Sequence, residues 1–246
     1  MLPKVEGLLM NRNLLMPFLF LSLITLSSLE AADQDPETIY QTSRLDQLLA
    51  GYYDGKVPLT EVKKNGNFGL GTYDRLDGEM TLVDGIFYQV RFNGSVTKVP
   101  EKARTPFATV TFFDSDKTIA SDQPMDLAQL TSYLDSQLAR KHIFYAIRID
   151  GSFSSVKARS VPPQKKPYPP LAEVIKGQSV FEFRDTKGTL IGFRCPETVK
   201  GENVPGYHFH FLTEDKKGGG HLLDLLTANV TIVIDETPRH FLVTSQ

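Results

Sequence analysis

The sequence predicts an α+β, β-rich protein: two closely packed mixed or antiparallel sheets with a few covering helices. Three observations carry this. From Phe68 onward, apolar residues alternate with polar ones over short runs separated by Asp77-Gly78, Asp84-Gly85 and Asn93-Gly94, pairs that supply the positive-φ residues of tight hairpins. A stretch after Pro124 switches to a helical period. A second group of strand-like runs then follows a proline-rich connection.

Taken in order, "NRNLLMPFLFLSLITLSSLEAAD" sets Arg12 before an apolar run of 13 residues, Leu14 to Leu26, and ends at the small residues Ala31 and Ala32. That is the layout of a signal peptide. The run contains Pro17 and falls short of the roughly 20 apolar residues a membrane-spanning helix needs. Residues 1–31 are therefore expected to be cleaved, giving an exported protein, periplasmic or secreted, with no stable membrane partner. The alternative is an uncleaved anchor.

Next, "TIYQTSRLDQLLAGYYDG" spaces Ile39, Leu45, Leu48 and Leu49 as a short amphipathic helix ending near Gly51. "FGLGTYDRL", "EMTLV", "IFYQVRF" and "SVTKV" predict an antiparallel meander, with a further strand in "FATVTFF". "DLAQLTSYLDSQLARK" predicts a helix covering a sheet, with Asp126 as N-cap and Leu127, Leu130, Leu134 and Leu138 on one face. Two strands, "IFYAIRI" and "SFSSVKARSV", are expected around Asp150-Gly151. The prolines of "PPQKKPYPP" forbid ladder pairing and favour a semi-rigid connection. "SVFEFRD" and "TLIGFRC" then read as a hairpin around Lys187-Gly188, and a histidine segment leads to "NVTIVID". The expected organisation is a signal peptide at 1–31, an N-terminal part at 32–161 and a C-terminal part at 162–246, the last two free to pack as one domain.

Composition narrows the function. With 41% hydrophobic and 23% charged residues the chain is an ordinary globular one. Its formal net charge of -2, with acids and bases interspersed, offers no basic field for nucleic acid, so a small-molecule partner is expected. The one cysteine, Cys195, admits no internal disulfide and reads as a buried structural thiol.

"GYHFHFLTEDKKGGGHLLD" holds three of the five histidines. On a strand, His208 and His210 share a face while Tyr207, Phe209 and Phe211 take the other. If His210 pairs across the hairpin with His221, residues 214–217 form the loop and three imidazoles converge. Three nitrogen ligands suit zinc, and an open fourth position marks a catalytic site. The alternative is a strand with outward histidines. His142 and His240 lack such company and read as structural.

The chain resembles the α-acetolactate decarboxylase family, on "LLAGYYDGKV", "GNFGLGTYDRLDGEMTLVDGIFYQV", "FYAIRIDGSF" and "GYHFHFLTEDKKGGGHLLD", in that order and over roughly residues 36–236. The resemblance implies conversion of 2-acetolactate to acetoin and carbon dioxide, usually beside butanediol fermentation. It implies a zinc ion on His208, His210 and His221, an active-site arginine at Arg148, an active-site glutamate at Glu79 and Thr72 lining the same region. It also implies a two-part α/β fold and a homodimer. In some members a glutamate on a longer C-terminal tail reaches the site; Asp235 and Glu236 are the acids near this C-terminus, and neither is assigned that role.

The chemistry suits these residues. Loss of carbon dioxide leaves charge that spreads onto the neighbouring ketone as an enediolate, and a dication stabilises it as a Lewis acid. A buried Arg148 suits a carboxylate in bidentate fashion, or else an ion pair with Asp150. Glu79, after the Asp77-Gly78 turn, is by default a solvated carboxylate; near zinc it becomes a holder of the substrate hydroxyl or a proton donor. With zinc in place of an organic electron sink no thiamine or pyridoxal cofactor is needed, and "GNFGLG" is not a dinucleotide loop, since it precedes a hairpin rather than a helix. Other readings are a carbonic-anhydrase-like or cupin-like zinc enzyme on the "HFH" signature, or a non-catalytic exported sugar- or metal-binding module. The chain lacks tryptophan and a second cupin motif, and a binding module leaves Arg148 and Glu79 without a role.

Overall fold

The computed structural model describes residues 35–244; the expected signal peptide lies outside them. The chain begins with β1 (Thr38–Thr42), α1 (Leu45–Leu49), β2 (Val57–Pro58) and α2 (Leu59–Lys63). Then come β3 (Phe68–Thr72), β4 (Glu79–Val83), β5 (Ile86–Val90), β6 (Val96–Lys98), β7 (Arg104–Thr105), β8 (Ala108–Thr111) and β9 (Lys117–Ser121). The remainder is α3 (Leu127–Gln137), β10 (Phe144–Ser160), α4 (Leu171–Val174), β11 (Ser179–Cys195), β12 (Gly206–Thr213), β13 (Gly219–Thr237) and β14 (Arg239–Val243). No helix among the described residues is long and apolar enough to cross a membrane.

Two large sheets form, as the alternation predicts, and β2 pairs with β7 in a separate two-stranded ribbon. A seven-stranded mixed sheet runs β14-β1-β8-β3-β4-β5-β6, its β1–β14 pair parallel and its other pairs antiparallel. The meander from β3 to β6 sits where the Asp-Gly turns put it. The second sheet runs β10-β11-β12-β13-β9 and is closed by a further pairing of β10 with β13, so four of its strands make a ring.

Between the sheets, Phe68 and Leu70 of β3 pack on Ala146, Ile191 and Phe193 of the ring. On the ring's other side, Leu130 and Leu134 of α3 meet Ile147, Ile149 and Ile232. Each such side chain, fully buried, contributes about 1.5–3 kcal/mol. Helix α3 starts where predicted: Asp126 accepts the Gln129 N–H and the Gln129 side chain accepts the Asp126 N–H, a reciprocal capping box.

Three expectations are corrected. The helix expected over Ile39–Leu49 is a strand followed by little more than one turn, because Ile39 to Thr42 are buried between β8 and β14 and Ser43, at φ 61, breaks the run. Asp150-Gly151 makes no turn: β10 continues through it, with a register shift against β13 just beyond, and a Cβ on Gly151 would lie 2.2 Å from the Asn229 carbonyl oxygen of β13. That glycine permits close approach of two backbones in an extended strand. Lys187-Gly188 is likewise interior to β11, where a Cβ on Gly188 would meet the Phe211 ring at 2.5 Å. β9 and β10, before residue 161, share a sheet with β11 to β13 after it, and β14 lies beside β1.

Candidate active site

The histidine hairpin forms in the expected register. His210 pairs with His221 and with Ile191 on its other side, and the Thr213 N–H donates to the Gly218 carbonyl to close a loop over residues 214–217. Glycine at 220 then serves the site directly. Its φ is +138, and a Cβ there would stand 2.4 Å from the Arg159 carbonyl oxygen, so only glycine lets β13 close on β10. The next residue, His221, pairs with Arg159.

One nitrogen each of His208, His210 and His221 lies within 4.8 Å of the others. His208 Nε2 and His221 Nδ1 are 3.2 Å apart. Tetrahedral zinc with nitrogens at about 2.0–2.1 Å separates its ligands by about 3.3 Å, so small ring rotations would bring all three onto one ion. His210 Nδ1 is 2.7 Å from the Met80 carbonyl of β4. A carbonyl only accepts, so Nδ1 carries the proton and Nε2 is the free donor atom.

Burial keeps the three rings neutral, the form a metal requires. It lowers His208 to about 4, and it holds His210 and His221 well below the ordinary imidazole range. Arg159 adds repulsion to all three. The 3.6 Å approach of Glu79 to His210 Nε2 is therefore contact with a neutral ring.

Glu79 and Thr72 come from the seven-stranded sheet, where they pair with each other across β3 and β4. Glu79 is 6% exposed and Thr72 4%, so the solvated-carboxylate reading of Glu79 fails. Burial raises the Glu79 carboxyl, and the charge of Arg159 partly offsets this. Arg159 Nη1 donates to Glu79 Oε1 at 3.0 Å. Thr72 Oγ1 donates to the Gly78 carbonyl at 2.7 Å, fixing the turn that delivers Glu79. These groups line a cavity of about 160 Å³ whose other walls include Leu48, Leu76, Phe107 and Val161. Drug-sized ligands take pockets of roughly 300–1,000 Å³, so this one suits a much smaller molecule.

Arg148 is not among these groups. Its Nη1 donates to the exposed Asp84 Oδ1 at 2.7 Å and its Nε to the half-buried Asp150 Oδ2 at 2.6 Å. The structure thus gives Arg148 the ion pair and brings Arg159, on the same strand, to the histidines. Sequence reading passed over Arg159. Its one signal was "KARSV" in a strand, a cation with no acid close to it in sequence.

The profile of the alpha-acetolactate decarboxylase family matches residues 39–244. An alpha-acetolactate decarboxylase of Methanosarcina mazei is 51% identical over 77% of this chain, and one of Bacillus subtilis 42% identical over 83%. The chain spans 66% of the length of the first and 80% of the second. The crystal structure of the alpha-acetolactate decarboxylase from Bacillus subtilis strain 168 superposes with a TM-score of 0.83 at 40% identity, over 85% of this chain and 89% of that one. A Staphylococcus aureus structure described as similar to alpha-acetolactate decarboxylase superposes at 0.82 with 26% identity, over 84% and 89%. With the histidine hairpin, the "DGEM" turn and both sheets falling inside the matched region, the chain belongs to the alpha-acetolactate decarboxylase family of lyases.

Proposed function

We propose that this protein converts 2-acetolactate to acetoin and carbon dioxide on one zinc ion held by His208, His210 and His221. The observation that carries it is the convergence of three neutral imidazoles, one buried carboxyl and one buried guanidinium on a single small cavity. When bound, zinc supplies Lewis-acid stabilisation of the negative charge that decarboxylation leaves on the substrate.

The protein's own groups do the rest. Arg159 binds the substrate carboxylate, its planar guanidinium matching both oxygens, and holds the scissile carbon–carbon bond in one orientation. As that bond breaks, its electron pair stays on the substrate as an enediolate and carbon dioxide leaves. Glu79, raised by burial, holds a proton beside the site and gives it to the enediolate carbon, forming acetoin; solvent then restores the proton. Thr72 keeps the Gly78-Glu79 turn in place. The leucine, phenylalanine and valine walls exclude water and strengthen each of these polar contacts.

Elemental analysis combined with an acetoin assay tests the proposal. About one zinc per chain and chelator-sensitive acetoin release are expected; protein inert to 2-acetolactate refutes it. Export and a homodimer belong to the same proposal. N-terminal sequencing of mature protein should start after Ala31 or Ala32, and light scattering should give twice the chain mass.

A further inference from the structure

His208 and His221 face two spaces. Besides the apolar cavity, they line a groove of about 850 Å³, and Val204 is the third residue common to both. The groove exists because β12 and β13 pair only over His210–Leu212 with Gly219–His221. Beyond those pairs the two strands part, and α3 lies along the opening.

The two spaces differ in charge. The groove carries four carboxylates, Asp126, Asp135, Glu197 and Asp224, against one guanidinium, Arg194. Arg194 is itself engaged: Nη1 donates to the Lys141 carbonyl and Nε lies 3.9 Å from Asp135. On the apolar side, Arg159 stands next to the histidines and repels cations. At the boundary, His208 Nδ1 is a buried ring nitrogen with no hydrogen-bond partner among the described residues.

From this juxtaposition we propose that the groove is the entrance by which a hydrated divalent transition-metal ion reaches His208, His210 and His221, while substrate uses the apolar cavity. The inference rests on the zinc-centre reading above. Carboxylates along a cleft with low-dielectric walls concentrate cations and raise their association rate. The same field disfavours the anionic substrate. An anion passing Asp224 and Glu197 would meet like charge, whereas one entering on the other side meets Arg159.

The test is stopped-flow metal binding by the chelator-stripped full chain, using Co²⁺ followed by visible absorption and Zn²⁺ followed by transfer from a chromogenic chelator. In the double variant Glu197→Gln with Asp224→Asn, both exposed positions, the association rate constant should fall about tenfold at low ionic strength. Its dissociation rate and metal stoichiometry should match wild type, and its salt dependence should be shallower. Ala128→Trp, on the exposed face of α3 at the groove, should slow association and dissociation by the same factor and leave affinity unchanged. Wild-type rates and salt slopes in the double variant overturn the entrance with the zinc centre intact. Failure of wild-type protein to bind either ion overturns both.

Discussion

Replacing Arg159 by alanine removes the guanidinium that faces Glu79 and leaves that carboxyl buried at 6% exposure without its cation. Two consequences follow. A hydrogen bond to a charged group contributes about 1.5–3 kcal/mol, so if Arg159 grips the substrate carboxylate as proposed, losing that bidentate contact raises the barrier by at least about 3 kcal/mol. At 1.36 kcal/mol per factor of ten, kcat/KM falls by at least about 100-fold. Breaking a buried pair from one side costs about 3–5 kcal/mol of stability when the remaining charge persists. Here Glu79 can take up a proton, since burial already raises its carboxyl, so the loss should lie at the lower end. Arg159→Lys keeps the charge without the planar fork and should fall between wild type and alanine. Arg148→Ala is the control: its ion pairs are part-exposed at side-chain exposures of 27% against 69% and 38%, and acetoin formation should stay within about threefold of wild type. The assay is initial-rate acetoin release with melting temperature measured beside it. An Arg159→Ala protein that is folded and fully active, or an Arg148→Ala protein as impaired as it, would refute the assignment.

Three further outcomes are expected. His210→Ala should abolish stoichiometric zinc by elemental analysis, and the melting temperature should become insensitive to added zinc, because the ring between Met80 and the other histidines is gone. Cys195 is 1% exposed and burial pushes its thiol up to about 12, so it should react with an aromatic disulfide reagent only after denaturation. Asp235 is 1% exposed and its pKa is raised to about 8, first by burial, then by Asp116, Glu37 and Asp114; the Asp114 N–H opposes the shift. The folded state therefore keeps a proton that the unfolded state releases from about pH 4, and stability falls between about pH 4 and 8. A shift of about four units corresponds to on the order of 5 kcal/mol. Asp235→Asn should raise the melting temperature far more at pH 8 than at pH 5; equal gains at both would sink the account.

Local signals were legible wherever one strand or one turn decided the structure. The Asp84-Gly85 turn, the Asp126 cap and the His210–His221 register all follow from chemistry within a dozen residues, whereas the tight turn expected at Asp77-Gly78 is the end of a six-residue connection that holds a 3-10 turn at Asp74–Leu76. Long strands were not. Gly151 and Gly188 look like turn residues because glycine permits positive φ, yet each is interior to a 17-residue strand, where the missing Cβ makes room for a neighbour. Sequence shows the glycine and is silent on which use is made of it.

The exchange of Arg148 for Arg159 has the same origin on a larger scale. Arg148 pairs with Ile191, Ile191 with His210, His210 with His221, and His221 with Arg159. One circuit of the ring thus returns to β10 eleven residues further on. At about 3.3 Å per residue that is roughly 36 Å of strand, so the two arginines sit in one hydrogen-bonded row yet far apart along the chain. Such a stagger is set by ring closure, and no local pattern encodes it. The identity of the surrounding acids does discriminate: Arg148 has Asp150 two residues away to neutralise it, whereas Arg159 has no acid within twelve residues other than Asp150 and Glu79 reaches it only through the fold. An arginine without a local acid is one whose partner comes from elsewhere, and here that partner is Glu79 of the other sheet, brought beside the histidines.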